Sequence, residues 1–134
     1  MNELAPEPTP ARRVKRVVLL VEDDPMIRIP IVTALQRKGW TVVSTADGRE
    51  ALEVFVARRD EIGVVVLDLV MPRKDGLATF HELRAVDASM PVILTSGLTD
   101  DARVGTMLSL GVREFLPKPY AVEDLLRALE RALA

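Results

Sequence analysis

Residues 64–76 read Val64-Val65-Val66-Leu67-Asp68-Leu69-Val70-Met71-Pro72-Arg73-Lys74-Asp75-Gly76. The first four are apolar and mostly β-branched, the composition of a strand buried on both faces, and Asp68 falls where that strand leaves the core. Pro72 and Asp75-Gly76 then break the strand and turn the chain toward a helix. Asp68 thus stands at the carboxyl end of a strand beside a loop, which is where open parallel sheets bind ligands. A strand-terminal aspartate also caps the segment that follows it, and this stretch alone supports both readings.

The same pattern recurs on either side. Upstream, Val17-Val18-Leu19-Leu20-Val21 forms a buried strand ended by Glu22-Asp23-Asp24. Asp24 suits the N-cap and Pro25 the first position of a helix that presents Ile27, Ile31, Val32 and Leu35 and stops at Gly39. Pro30 falls inside that helix, where a lost hydrogen bond and a clash cost about 3 kcal/mol, so a kink or a later start is expected. A strand over 41–45 follows Trp40, whose ring is expected over a sheet edge. Asp47-Gly48 turns the chain into a second helix carrying Ala51, Leu52, Phe55 and Val56. Downstream, a third helix uses Leu77, Phe80 and Leu83, with His81, the single histidine, on its solvent side. A fourth strand over 91–94 runs into Thr95-Ser96-Gly97, a helix over about 100–110 ends at Gly111, a fifth strand over 113–116 meets Pro117-Lys118-Pro119, and a last helix spans about 122–133.

Strand and helix alternate five times, which calls for an α/β domain with a five-stranded parallel sheet, helices on both faces and right-handed crossovers. For the flavodoxin-like order 2-1-3-4-5, the ligand crevice lies between strands one and three, which carry Glu22-Asp23 and Asp68.

A chain of 134 residues fits one domain with a substantial core. Hydrophobic residues at 49% and charged residues at 28% place it among globular rather than disordered chains. A net charge of −2 argues against a broad nucleic-acid footprint, and the run Arg12-Arg13-Val14-Lys15-Arg16 reads as a solvated lead-in to the first strand. Without cysteine there is no disulfide and no thiolate metal site, which fits a cytoplasmic location. No apolar run approaches the length of a membrane span. Residues 1–13, with Pro6, Pro8 and Pro10, are expected to form a flexible leader ahead of a domain over 14–134.

Glu22, Asp23 and Asp68 gathered at one crevice would oppose each other's ionisation unless something positive sits among them. Oxygen donors with no His or Cys nearby suit a hard divalent cation, Mg²⁺ above all. Lys118, flanked by prolines, adds a second positive charge, and Ser96 a hydroxyl. Cation, ammonium and hydroxyl beside a free carboxylate are the equipment for accepting a phosphoryl group, with Asp68 as nucleophile. Each signal alone is weak, and their order along the chain makes the case.

These motifs, Val21-Glu22-Asp23-Asp24-Pro25, Leu67 through Gly76, Thr95-Ser96-Gly97 and Lys118-Pro119, resemble the response-regulator receiver domain of two-component signalling over nearly all of 15–134. The resemblance implies that Asp68 accepts phosphate from a histidine kinase's phosphohistidine. It further implies that Mg²⁺ is held by Asp23, Asp68 and the Val70 backbone carbonyl, and by Glu22 through water. Ser96 and Lys118 would grip the phosphoryl oxygens, the Lys118–Pro119 peptide would be cis, and Ser96 and Phe115 would form a coupled switch that remodels the face of helix four, strand five and helix five.

The sequence departs from the family's pattern in two places. Phe115 stands where Tyr is also common, and Pro30 lies in the helix where kinases dock. Val70 and Leu98, two residues after Asp68 and Ser96, are apolar at positions that family precedent puts beside the phosphoryl group; neither orients a water, so slow hydrolysis of the phosphorylated form is expected. The expected partners are a histidine kinase or histidine phosphotransfer protein upstream, and downstream an effector protein or an output domain outside this sequence. Neither nucleic acid nor membrane is an expected partner. The chain is expected as a monomer, with a phosphorylation-dependent dimer left open. The stretches around Thr95-Ser96-Gly97 and Leu116 to Tyr120 also look similar to receivers of hybrid sensor kinases, which makes phosphorelay the alternative role. A Mg²⁺-dependent aspartyl phosphohydrolase is the other alternative; the haloacid dehalogenase type needs a second Asp where this chain has Val70.

Overall fold

The computed structural model describes residues 15–72, 74–98 and 100–134. The expected leader over 1–13 lies outside the described residues, as do most of the basic run, Arg73 and Thr99.

Among the described residues ten elements alternate: β1 (Val17–Val21), α1 (Pro25–Arg37), β2 (Thr41–Thr45), α2 (Gly48–Arg58), β3 (Val64–Asp68), α3 (Gly76–Val86), β4 (Val92–Ser96), α4 (Ala102–Ser109), β5 (Glu114–Pro117) and α5 (Val122–Leu133). The strands form one parallel sheet in the order β2-β1-β3-β4-β5, as the alternation and the flavodoxin-like reading require. Successive strand residues point to opposite faces, so the core divides in two. Leu19, Val21, Val65, Leu67, Val92 and Leu94 pack with Ala51 and Phe55 of α2, Phe80 and Leu83 of α3, and Val104 and Met107 of α4. Val18, Leu20, Val64, Val66 and Ile93 pack on the other face with Ile31 and Leu35 of α1 and Leu125, Ala128 and Leu129 of α5. β3 is buried along its whole length, the expected state of the central strand.

Helix ends follow local chemistry. Asp24, Asp47, Asp75 and Asp101 each cap a helix by accepting a backbone N–H two or three residues on. Asp101 takes the cap of α4, so that helix starts later than position 100. α1 and α4 end alike, with Gly39 (φ 93°) and Gly111 (φ 108°) in the left-handed region. At each, the following N–H reaches back to the third residue from the helix end, Trp40 to Leu35 and Val112 to Met107, and the paired side chains bury together. β4 extends two residues past the expected 94 and so includes Thr95 and Ser96; β5 is shifted one residue later.

One expectation is corrected. α1 is not delayed by Pro30 but runs unbroken from Pro25 to Arg37. The missing donor is the one that would serve Met26, a residue 82% exposed, so water can take its place near the helix start. Trp40, directly before the edge strand β2, is buried with Ile31 and Leu35 of α1, and the Arg16 guanidinium sits 5.2 Å from its ring centre. Arg16 also pairs with Glu130 of α5, so the last member of the basic run is tied to the fold. His81 is exposed, as expected.

Candidate functional site

Glu22 directly follows β1, Asp68 ends β3, Ser96 ends β4 and Lys118 follows β5. Parallel pairing brings all four to the carboxyl end of the sheet, with Asp68 opposite Thr95 and Ser96 opposite Pro117. The Lys118 ammonium sits between two acids, 2.7 Å from Glu22 Oε1 and 3.2 Å from Asp68 Oδ2. Glu22 is 2% exposed and Asp68 3%.

Burial pushes the Asp68 carboxyl from its ordinary 3.8 up to about 6; the Glu22 charge pushes the same way, and Lys118 together with the Val70 N–H opposes both. Burial works against the Lys118 ammonium, yet Glu22 and Asp68 outweigh it and its pKa is raised. One cation between two buried carboxylates leaves the pocket short of positive charge.

Glu22, Asp23 and Asp68 each present an oxygen within 4.8 Å of the others, and Asp23 is only partly buried. This donor set is all oxygen and anionic, and it opens toward solvent on the Asp23 side, which fits a hard cation that keeps several waters. Val70 lies at the rim, 45% exposed, its N–H 3.4 Å from Asp68 Oδ1.

Ser96 is fully buried, and its Oγ accepts the Leu98 N–H at 2.9 Å. Among the described residues the Ser96 hydroxyl makes no hydrogen bond to Asp68 or Lys118; the link between these strand ends is the Lys118 N–H donating to the Ser96 carbonyl at 2.8 Å. Phe115 lies across from Leu94 on β5 and is half-buried against the core that holds Val104 and Met107. The Lys118–Pro119 peptide is cis.

Four residues matter here in ways the sequence reading did not anticipate. Gly76 is more than a turn residue: a Cβ there would lie 2.6 Å from the Asp68 carbonyl oxygen and 2.7 Å from Leu69 Cα, and its N–H donates to the Leu69 carbonyl at 2.7 Å. Only glycine lets α3 begin against the backbone of the phosphoacceptor candidate. Tyr120 has its phenol pushed up to about 12, by burial first and then by the Glu22 and Asp68 charges. Arg28 donates from one guanidinium nitrogen to the Glu22 and Asp23 carbonyls, at 2.9 and 3.1 Å. Arg103 of α4 pairs with Asp75 at 3.0 Å, joining that helix to the cap of α3. The Asp-Gly dipeptide hinted at the first; the others depend on long side chains whose reach no spacing rule supplies.

Comparison with known proteins bears on this arrangement. The sequence model of the response regulator receiver domain matches residues 18–130. The sensor kinase CckA of Brucella abortus is 38% identical over 116 residues, covering 87% of this chain and 12% of that protein. The response regulator MprA of Mycolicibacterium vanbaalenii is 34% identical, covering 87% of this chain and 49% of that protein. The chain therefore spans half or less of the length of these curated relatives. A solved CheX–CheY complex of Borrelia burgdorferi with beryllofluoride and Mg²⁺ contains a chain with a TM-score of 0.82, 26% identical, the match covering 88% of this chain and 89% of that one.

Proposed function

The chain belongs to the response regulator receiver domain family, a signalling rather than an enzymatic family, and from that premise we propose that it is a phosphoacceptor switch centred on Asp68. An Asp68 carboxylate oxygen attacks the phosphorus of a phosphohistidine on a histidine kinase or phosphotransfer protein. The N–P bond breaks and its electron pair stays on the imidazole nitrogen, which takes up a proton. The observation that carries this reading is the Lys118 ammonium held 2.7 Å from Glu22 and 3.2 Å from Asp68, in a carboxylate trio whose oxygens lie within 4.8 Å, at the carboxyl end of the sheet where ligands bind.

Asp23, Asp68 and the Val70 carbonyl would hold Mg²⁺ directly and Glu22 through water. When bound, the cation neutralises charge on the phosphoryl oxygens. Lys118 supplies the fixed ammonium for one of those oxygens, exchanging part of its contact with Asp68. Ser96 gives up the Leu98 N–H to offer its hydroxyl to another. Its movement and that of the half-buried Phe115 are coupled through β4 and β5, and the face of α4, β5 and α5 passes the signal to an effector or an output domain. Beside Lys118, an apolar groove lined by Met26, Ile27, Pro30, Ile31 and Tyr120 supplies a surface for the phosphodonor.

A phosphorelay role is the second reading, favoured by the 38% identity to a segment of a sensor kinase. Val70 offers no acid or base at the position a phosphohydrolase of the aspartyl type requires, so turnover of external esters is not proposed. Among the described residues no helix is long and apolar enough to cross a membrane.

Titration with beryllofluoride and Mg²⁺ followed by NMR tests the proposal. Shifts that spread from Asp68 to α4 and α5 support the switch, whereas shifts confined to the pocket favour passive relay. No shift at Asp68 overturns both.

A further inference from the structure

The turn that carries Glu22 and Asp23 is fastened from several sides. The Glu22 N–H donates to the Thr45 carbonyl at 3.1 Å, Glu22 Oε2 accepts the Asp24 N–H at 3.1 Å, and Glu22 Oε1 meets Lys118. These contacts fix the Glu22 side chain and the entry to the turn. They leave the peptide carbonyls of Glu22 and Asp23, and so the plane from which the Asp23 side chain springs, to another group.

That group is Arg28. It lies on the first turns of α1, half-buried, and a single nitrogen, Nη1, donates to the Glu22 carbonyl at 2.9 Å and to the Asp23 carbonyl at 3.1 Å. One residue on, at the helix N-cap, the Arg28 N–H donates to the Asp24 carbonyl at 2.8 Å. Backbone and side chain of one residue thus hold three consecutive carbonyls. Charge-assisted bonds of this kind are about twice as strong as neutral ones, and the planar guanidinium loses little freedom in making them.

We propose that Arg28 is a positioning residue for divalent-cation binding: by clamping the carbonyls of Glu22 and Asp23 it fixes the Asp23 carboxylate at the site. This rests on reading the Glu22, Asp23 and Asp68 cluster as the cation site. Charge alone predicts the opposite sign, because a guanidinium beside a divalent site repels the cation, and removing it would tighten binding. Residues that orient metal ligands typically contribute tenfold or more to metal affinity.

The experiment is Mg²⁺ titration by calorimetry of the wild-type chain, Arg28→Met and Arg28→Lys, with urea unfolding in EDTA as the fold control. Positioning predicts that Arg28→Met, still folded in EDTA, binds Mg²⁺ about tenfold more weakly, and that Arg28→Lys recovers part of the loss. Binding as tight as or tighter than wild type in Arg28→Met overturns the inference. If Arg28→Met does not fold, Arg28→Lys decides, since its charge is kept: weaker binding supports the clamp, and equal binding overturns it. Failure of the wild-type chain to bind Mg²⁺ would instead overturn the reading of the site.

Discussion

Replacing Asp68 by Asn removes a carboxylate whose ionisation works against the fold, so the variant should be more stable than the wild type at neutral pH. Asp68 is raised from 3.8 to about 6, and each unit corresponds to about 1.4 kcal/mol between protonation states, so ionising it within the fold costs about 3 kcal/mol. The sign follows from linkage. The folded chain holds this proton more tightly than the unfolded one, so the contribution is fully present below about pH 4 and is lost as pH rises through about 6. Asn mimics the protonated form at every pH. Lys118 loses its contact at 3.2 Å but keeps Glu22 at 2.7 Å, which offsets part of the gain. Urea unfolding in EDTA should therefore show Asp68→Asn more stable by roughly 1–3 kcal/mol at pH 7.5, with the gap shrinking below about 1 kcal/mol at pH 4. Adding Mg²⁺ should stabilise the wild type and not the variant, because a ligand that binds only the folded state raises its stability by mass action. A variant less stable than wild type at pH 7.5 in EDTA, or a gap indifferent to pH, would refute the electrostatic account of the pocket.

Lys118→Met leaves Glu22 and Asp68 without their shared cation. It should destabilise the fold by roughly 1–3 kcal/mol at pH 7.5, less at pH 5, and carbon-detected NMR should place the Asp68 carboxyl above its wild-type value. Gly76→Ala forces a Cβ to within 2.6 Å of the Asp68 carbonyl, so it should cost about 2 kcal/mol or more in unfolding experiments and slow phosphorylation by acetyl phosphate; a neutral variant would show that α3 can shift freely. Val70 and Leu98 are 45% and 52% exposed, and Val70→Asn or Leu98→Glu should hasten decay of the phosphorylated form. Phosphate-release rates equal to wild type would dismiss that idea.

The fold was legible because its signals are local and periodic. Runs such as Val17 to Val21 and Val64 to Leu67 read as buried strands, and aspartates at 24 and 75 and glycines at 39 and 111 marked helix ends. Once the strands were ordered, the meeting of Glu22, Asp23, Asp68 and Lys118 followed from topology. What escaped is set by three-dimensional reach. Pro30 looked disruptive because propensity counts the lost bond but not the solvent available to replace it. The Arg28 clamp and the Arg103–Asp75 pair depend on which way long side chains lie, something no hydrophobic pattern encodes.

Tyr120 is the chain's single tyrosine, and its phenol feels the charges of Glu22 and Asp68. Biosynthetic incorporation of fluorotyrosine would accordingly yield a one-line ¹⁹F spectrum whose frequency tracks the charge state of the pocket. Occupancy, acidification and phosphoryl capture could all be followed on that one resonance, without isotopic labelling of the backbone and without any partner protein in the tube.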